Sequence, residues 1–436
     1  MSAPGWVLVT MMTTTPHAHA WFDEARFGMF LHFGLYSVAA RHEWVQSYER
    51  LTDQEYREYF DHFDPDRFDA AALARTARET GMGYIVLTTK HHDGFCLWDS
   101  AQTDFTAMYA CGRDLVREFV DAARGEGLRV GLYHSLVDWH HPDFTVDAIH
   151  PRRDDDDAPE QNAGRDMGRY RAYLHAQVEE LLTGYGPIDY LFFDYTYPEE
   201  KDGWPGKQAS DWDADRLLAL CRRLQPGMLV NDRLGVPADF VTPEQYQPTE
   251  PLRRDGVPQR WEACQTLNGS WGYHRDNLDQ KSPDLLVRML IDSAAMDGNM
   301  LLNIGPDGRG AVPEQHARTL QAIGEWMLLH RDAVVGAGYA GLKPPREGVY
   351  TRRGDRLYLH LLQWPLGAVH LPGLAGRVGF TRFLHDGSWL RTSVSDPAQE
   401  ALVMRPAGQP EGTLTVHLPV QRPDVLLPVI ELTLAG

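Results

Sequence analysis

Residues 115–135 read LVREFVDAARGEGLRVGLYHS. The first half is helical by spacing: Leu115, Phe119, Ala122 and Ala123 recur at intervals near 3.6 residues and lay one apolar stripe along a helix face. Gly125 and Gly127 stop the helix, since a helix ends most easily where the backbone can turn left-handed. A short apolar run, 129–133, follows and closes in Tyr133-His134-Ser135. A helix, a tight turn and a buried strand with polar residues at its carboxyl end make the βα rhythm of a parallel sheet.

The rhythm extends in both directions. Strands are expected at 27–33, 84–88, 129–133, 190–193, 228–230 and 299–304, with helices at 70–80, 115–125 and 170–182. Pro313 stands where a first-turn proline belongs, and Leu320, Ile323 and Met327 share one face of the last helix. Past Gly336 the text changes to short alternating runs, 349–351, 357–361, 413–418 and 425–434, divided by turns rich in Gly, Pro and Asp, and nothing there reads as a long helix. The expected organisation is a poorly ordered N-terminal extension, residues 1–20, then a catalytic α/β unit, a (β/α) TIM-like barrel over 21–335, then a C-terminal antiparallel β-sandwich over 336–436. A doubly wound open sheet is the alternative, because strand periodicity alone does not close a barrel.

A chain of 436 residues is long enough for two domains, and the 43% hydrophobic content is that of an ordinary globular enzyme. Its 42 Lys and Arg stand against 61 Asp and Glu, a net charge of −19, which repels phosphate backbones and anionic lipid and sets nucleic acid and membranes aside as partners. No stretch approaches the ~20 apolar residues of a membrane span. Residues 6–12 are modestly apolar and Ala18-His19-Ala20 imitates a cleavage site, but there is no basic segment ahead of them, so the reading is cytoplasmic, with a secreted or periplasmic location as the alternative. The scattered Cys96, Cys111, Cys221 and Cys264 read as free thiols, and the run 154–157 of four aspartates as a solvated loop. The 12 tryptophans suit a site that stacks on sugar faces. A homo-oligomer is left open.

Side chains just past the carboxyl ends of barrel strands share one mouth. Those ends read His32-Phe33-Gly34, Lys90-His91-His92-Asp93-Gly94-Phe95, Tyr133-His134-Ser135, Asp194 and Asn231-Asp232-Arg233. Imidazoles, an arginine and ring faces bind hydroxyls and the apolar side of a pyranose. Cleaving a glycosidic bond also needs two carboxyls, one to attack or polarise and one to protonate the leaving oxygen. Asp194, directly after Tyr190-Leu191-Phe192-Phe193, is the first; Glu43, Glu244 and Glu262 compete for the second, and spacing does not rank them. His91 and His92 invite a metal, but neighbours on a strand point to opposite faces and chelate poorly, so no metal or cofactor is expected. The segment Gly305-Pro306-Asp307-Gly308-Arg309-Gly310 reads as an ordinary turn, lacking the Lys-Ser/Thr of a phosphate loop.

These residues resemble glycoside hydrolase family 29, the α-L-fucosidases, in Arg26-Phe27-Gly28-Met29-Phe30-Leu31-His32-Phe33-Gly34, Glu43-Trp44, the Lys90–Phe95 block, Gly131-Leu132-Tyr133-His134-Ser135, Asn231-Asp232-Arg233, Ser270-Trp271-Gly272-Tyr273 and Gly298–Pro306. The resemblance implies a barrel with a C-terminal β-sandwich and a retaining, exo-acting hydrolysis of terminal α-L-fucosides on fucosylated oligosaccharides or glycoconjugates, through a covalent fucosyl-enzyme. It makes Asp194 the nucleophile and Glu244 the acid/base, with Glu262 as runner-up. It also puts His32, Glu43, Trp44, His91, His92, Arg233 and one of Tyr133 and His134 on the sugar. The family commonly has Trp two residues before the nucleophile and a pair such as Asp-Gly at it, whereas this chain has Phe192 and Asp194-Tyr195. Three further expectations follow: Arg233 keeps a carboxylate ionised, burial of Glu244 holds its proton, and Trp44 or Phe33 contacts the fucose methyl group. The alternatives are a non-catalytic fucose-binding protein and a metal-dependent hydrolase using His91 and His92 with Asp194.

Overall fold

The computed structural model describes residues 19–398 and 408–435. Of the expected N-terminal extension, residues 1–18 lie outside the described residues; His19 is buried and Ala20 opens a helix, Ala20–Ala25.

Seven parallel strands form the main sheet: β1 Phe27–Leu31, β2 Tyr84–Lys90, β3 Arg129–Ser135, β4 Tyr190–Asp194, β5 Leu229–Val230, β6 Glu262–Thr266 and β7 Asn299–Ile304. Their order is β5-β4-β3-β2-β1-β7-β6, so the first strand pairs with both the second and the last. A sheet that returns to its first strand curls; a doubly wound sheet would instead reverse its order at a switch point. Residues 240–244 fill the gap between the edge strands, with Phe240 bridged to Asn231, Val241 to Trp261 and Glu244 to Cys264. The barrel reading therefore holds against the doubly wound alternative.

Helix Leu115–Gly125 lies where the periodicity put it, helix Ala70–Glu79 ends one residue early, and the stretch 170–182 sits inside Met167–Gly184. Pro313 is the N-cap residue of Glu314–His330, one place ahead of the first turn. The strand Glu262–Thr266 was not expected, because Glu262 and Gln265 break its apolar pattern although every residue in it is buried. The aspartates 154–157 are exposed, as a solvated loop should be.

Along β4 the side chains alternate, so Tyr190, Phe192 and Asp194 face the barrel interior in ascending order. Interior packing joins Phe30, Val86, Tyr133, Phe192 and Leu301. Gly28 leaves room for a further interior ring: a Cβ there would come within 2.4 Å of Tyr84. The amino-terminal end of the barrel is stoppered by Trp21 and Phe22 of the first helix. The Phe22 ring lies 5.8 Å from Tyr84 and 5.2 Å from Phe240, and Asn299 donates to the Phe22 carbonyl at 2.9 Å. Among the described residues, the opening onto the barrel interior is at the carboxyl end.

The C-terminal residues form a five-stranded sheet, from Gly338–Tyr339, Gly348–Arg353, Arg356–Leu361, Val429–Leu434 and Val378–Phe383, and a three-stranded sheet, from Ala368–Leu371, Leu414–His417 and Thr392–Val394, with every pair antiparallel. Their shared core includes Leu357, Leu359, Val369, Phe383, Val416 and Leu432. A second set, Tyr358, Leu427 and Val429, joins the barrel's outer core instead. There the Trp326 indole donates to the Leu427 carbonyl at 2.9 Å.

Candidate active site

A pocket of about 370 Å³ opens at the carboxyl ends of the strands, and Asp194 is one of its walls. The carboxylate is held from two sides: Arg233 Nη1 donates to Oδ1 at 2.7 Å and Tyr133 Oη to Oδ2 at 2.9 Å. Burial alone would raise this acid; the charges of Arg233 and His92 and the two hydrogen bonds outweigh it and hold Asp194 below the usual carboxylate range. Its backbone is fixed as well. The Asn231 side chain accepts from the Phe193 N–H and donates to the Phe193 carbonyl, each at 2.9 Å, and so continues the sheet where β5 has already ended.

Arg233 follows in a single turn of helix, Asp232–Leu234, oriented by Nε donation to Thr242 Oγ1 at 3.0 Å. Its Nη2 donates to Glu244 Oε2 at 2.7 Å. One guanidinium fork thus joins Asp194 to Glu244. The expected burial of Glu244 is not found: its side chain is 42% exposed, because residues 240–244 end at the rim of the mouth rather than inside it.

Glu262, the runner-up, is elsewhere. It is fully buried as the first residue of β6, accepting from Tyr190 Oη at 2.6 Å and from Tyr84 Oη, and it does not line the pocket. Tyr190 is four residues below Asp194 on β4, about 13 Å along the strand. Burial raises the Glu262 carboxyl to about 7.

Four neutral imidazoles line the pocket. His32 is orientated by Asn303 Oδ1 at 2.6 Å from its Nδ1, and His92 by Ser135 Oγ at 2.7 Å. Burial lowers His32 to about 3, His92 and His42 to about 4, and His91 well below the usual range, so at neutral pH each ring carries one donor and one acceptor. The Nδ1 of His91 is buried without a hydrogen-bond partner among the described residues. His91 and His92 do not point to opposite faces: the strand ends at Lys90 after a register shift, and both rings turn into the pocket with centroids 4.1 Å apart. Among the described residues no group of three His, Cys, Asp or Glu side chains could hold a metal ion, His91, His92 and Asp194 included.

Glu43 lines the same pocket almost fully buried, and burial raises it to about 7 against the pull of the Gly272 N–H, which donates to its Oε2 at 2.9 Å. Its Oε1 lies 3.3 Å from His42 Nε2 and makes no hydrogen bond. Trp44 stands edge-on to His92, with ring centroids 5.0 Å apart.

Position separates two pairs that the sequence left open. His134 alternates with Tyr133 along β3 and so faces the helical layer, where Thr89 Oγ1 lies 3.2 Å from its Nδ1 and Trp98 packs beside it; it does not line the pocket, whereas Tyr133 does. Phe33 likewise leaves the pocket and stacks on Phe68 at 5.3 Å, so that of the two rings named for the fucose methyl group Trp44 is the one lining the pocket. Other pocket residues carried no singled-out role in sequence: Phe30, His42, Tyr48, Phe192, Tyr195, Gln245, Cys264, Gly269 and Trp271. For Trp271 a signal exists in Gly305, where a Cβ would fall 2.8 Å from the Trp271 carbonyl, so that glycine lets the loop carrying the indole close on β7.

Tyr195 adopts φ +81°, in the left-handed region. For a bulky residue this conformation costs about 1–3 kcal/mol, and it is where the family pattern offers glycine.

Two carboxyls joined by an arginine, among neutral imidazoles and ring faces at the mouth of a (β/α) barrel, define the class of the glycoside hydrolases. The model of the α-L-fucosidase family matches residues 10–332. Among solved structures, α-L-fucosidase isoenzyme 1 from Paenibacillus thiaminolyticus superposes with a TM-score of 0.89 at 43% identity, over 96% of this chain and 99% of that one. A family 29 α-L-fucosidase from Bacteroides thetaiotaomicron, trapped as a covalent intermediate with 2-fluoro-fucosyl fluoride, superposes at 0.81 with 27% identity and 96% of each chain covered. The plasma α-L-fucosidase of Rattus norvegicus is 30% identical over 402 residues, 83% of this chain and 81% of that protein. The chain belongs to the α-L-fucosidase family and is a glycoside hydrolase.

Proposed function

We propose that the protein is an exo-acting fucosidase that releases terminal α-L-fucose with retention of configuration, with Asp194 as nucleophile and Glu244 as acid/base. The observation that carries this is the Arg233 fork, one nitrogen on each carboxylate at 2.7 Å. One guanidinium bonded to both keeps the two carboxyls close, as the ~5 Å spacing of double displacement requires. Asp194 is the acid held ionised in the ground state. Its free electron pair attacks the anomeric carbon as the glycosidic C–O bond breaks and Glu244 gives its proton to the departing oxygen. Glu244 then takes a proton from water, whose oxygen displaces Asp194 and yields fucose. The exposure of Glu244 suits both halves, since first the leaving group and then water must reach it. The neutral histidines and Glu43 bind hydroxyls, and the Bacteroides relative trapped as a covalent intermediate supports the same route.

Proton NMR of the first-formed fucose, with mass spectrometry of the enzyme after reaction with 2-fluoro-fucosyl fluoride, tests the proposal. The expected results are an α product and one fluorofucosyl adduct on the peptide holding Asp194. A β product, or an adduct on another residue, overturns it. Glu244→Ala should keep turnover of an activated aryl fucoside and gain rate with azide; loss of both responses removes Glu244 from the role.

A further inference from the structure

Nothing in the chemistry of Asp194 and Glu244 calls for a tyrosine at position 195. Its backbone sits at φ +81°, where tyrosine is uncommon and glycine unstrained, and strain kept beside a reacting group points to a use for the side chain. The half-buried Tyr195 ring lines the pocket, 4.9 Å from His92 and 5.1 Å from Trp44. Trp44 in turn stacks on Tyr48 at 5.8 Å, and Tyr48 is 63% exposed. These rings form a continuous aromatic wall from the imidazole end of the pocket out to solvent. The ring shares the pocket lining with both Asp194 and Glu244. The group that departs with Glu244's proton must lie at this rim, because the far end of the barrel is closed by Trp21 and Phe22.

We infer that Tyr195, backed by Trp44 and Tyr48, is the specificity-determining wall for the leaving group, stacking on a flat ring that is either an aryl group or the apolar face of a pyranose. The inference rests on the fucosidase reading and extends it from the sugar cleaved to the group released. An aromatic face contributes through area and ring geometry, so its loss weakens binding of ring-bearing leaving groups and matters less for one without a ring.

The test compares kcat/KM of wild type, Tyr195→Phe and Tyr195→Asn, a residue that tolerates left-handed backbone, on α-L-fucosyl fluoride, 4-nitrophenyl α-L-fucoside and a fucosyl-galactose disaccharide. In Tyr195→Asn the rate on a ring-bearing substrate relative to the fluoride should fall about tenfold, while Tyr195→Phe stays within about twofold of wild type. A fall on the aryl substrate alone assigns the wall to aromatic aglycones, and one on the disaccharide assigns it to sugars. Ratios that do not move overturn the inference alone, whereas a wild type that turns over none of the three overturns the fucosidase reading with it. Should Tyr195→Asn not fold, Tyr195→Gly takes its place under the same criteria.

Discussion

Arg233 reaches Asp194 with one nitrogen and Glu244 with the other, so a single cation sets the ionisation of one acid and the position of both. Removing it as Arg233→Met leaves Asp194 with burial as the main influence, which raises a carboxyl. The acid limb of kcat/KM should therefore move to higher pH, together with a large loss of rate at neutral pH; a limb that stays in place would show that Arg233 does not set it. Glu43 titrates the other way. Raised by burial to about 7, it is a neutral hydrogen-bond donor below that pH and a carboxylate above it. An alkaline limb near pH 7 is expected, and Glu43→Gln, a permanent donor, should flatten it in a pH–rate profile. At this scale Asp194, Arg233 and the imidazoles were legible because strand ends announce themselves. What could not be read was direction: His134 and Tyr133 are adjacent letters on opposite faces, and the register shift that brings His91 and His92 to one side leaves no mark in the sequence.

At the level of strands, the first residues of β2, β4 and β6, Tyr84, Tyr190 and Glu262, meet inside the barrel below the site. This layer places a carboxyl among buried rings, with Phe30, Tyr133 and Phe192 also in the interior packing. Glu262 has a folded-state value of about 7, above its ordinary 4.5, so the native state binds the proton more tightly than the unfolded chain. Stability from this group is full below about pH 4.5, falls as pH rises towards 7 and is lost above it, a change of about 3 kcal/mol by linkage. Glu262→Gln should lose that dependence and melt higher than wild type at pH 8, with the gap closing at pH 5, as thermal denaturation across pH would read. Its aryl-fucosidase rate should stay within about threefold of wild type, in contrast with Asp194→Ala. Strand β6 escaped the sequence for the same reason it is informative: a charged letter at its start hides the apolar period that a buried strand should show.

Across the whole molecule, the change from long helices to short alternating strands was legible in composition alone, since turn residues and period-two runs replace the helical stripe after Gly336. The way the two parts join was not, because it depends on Trp326, Leu427 and Tyr358, far apart in the chain and buried together. Trp326→Ala should cost about 3–5 kcal/mol in denaturant unfolding, with the retained soluble fraction keeping its KM for an aryl fucoside, because the cavity opens far from the pocket. A KM shift of tenfold or more would instead tie the seam to the site. The stopper of Trp21 and Phe22 has a consequence for traffic. A vessel closed at that end, among the described residues, imposes a queue: on the double-displacement reading the first product clears the doorway before water enters, and fucose, deepest in, leaves last. Free fucose then competes with incoming substrate for the same seat, and how quickly that seat empties bounds the turnover the chemistry can deliver.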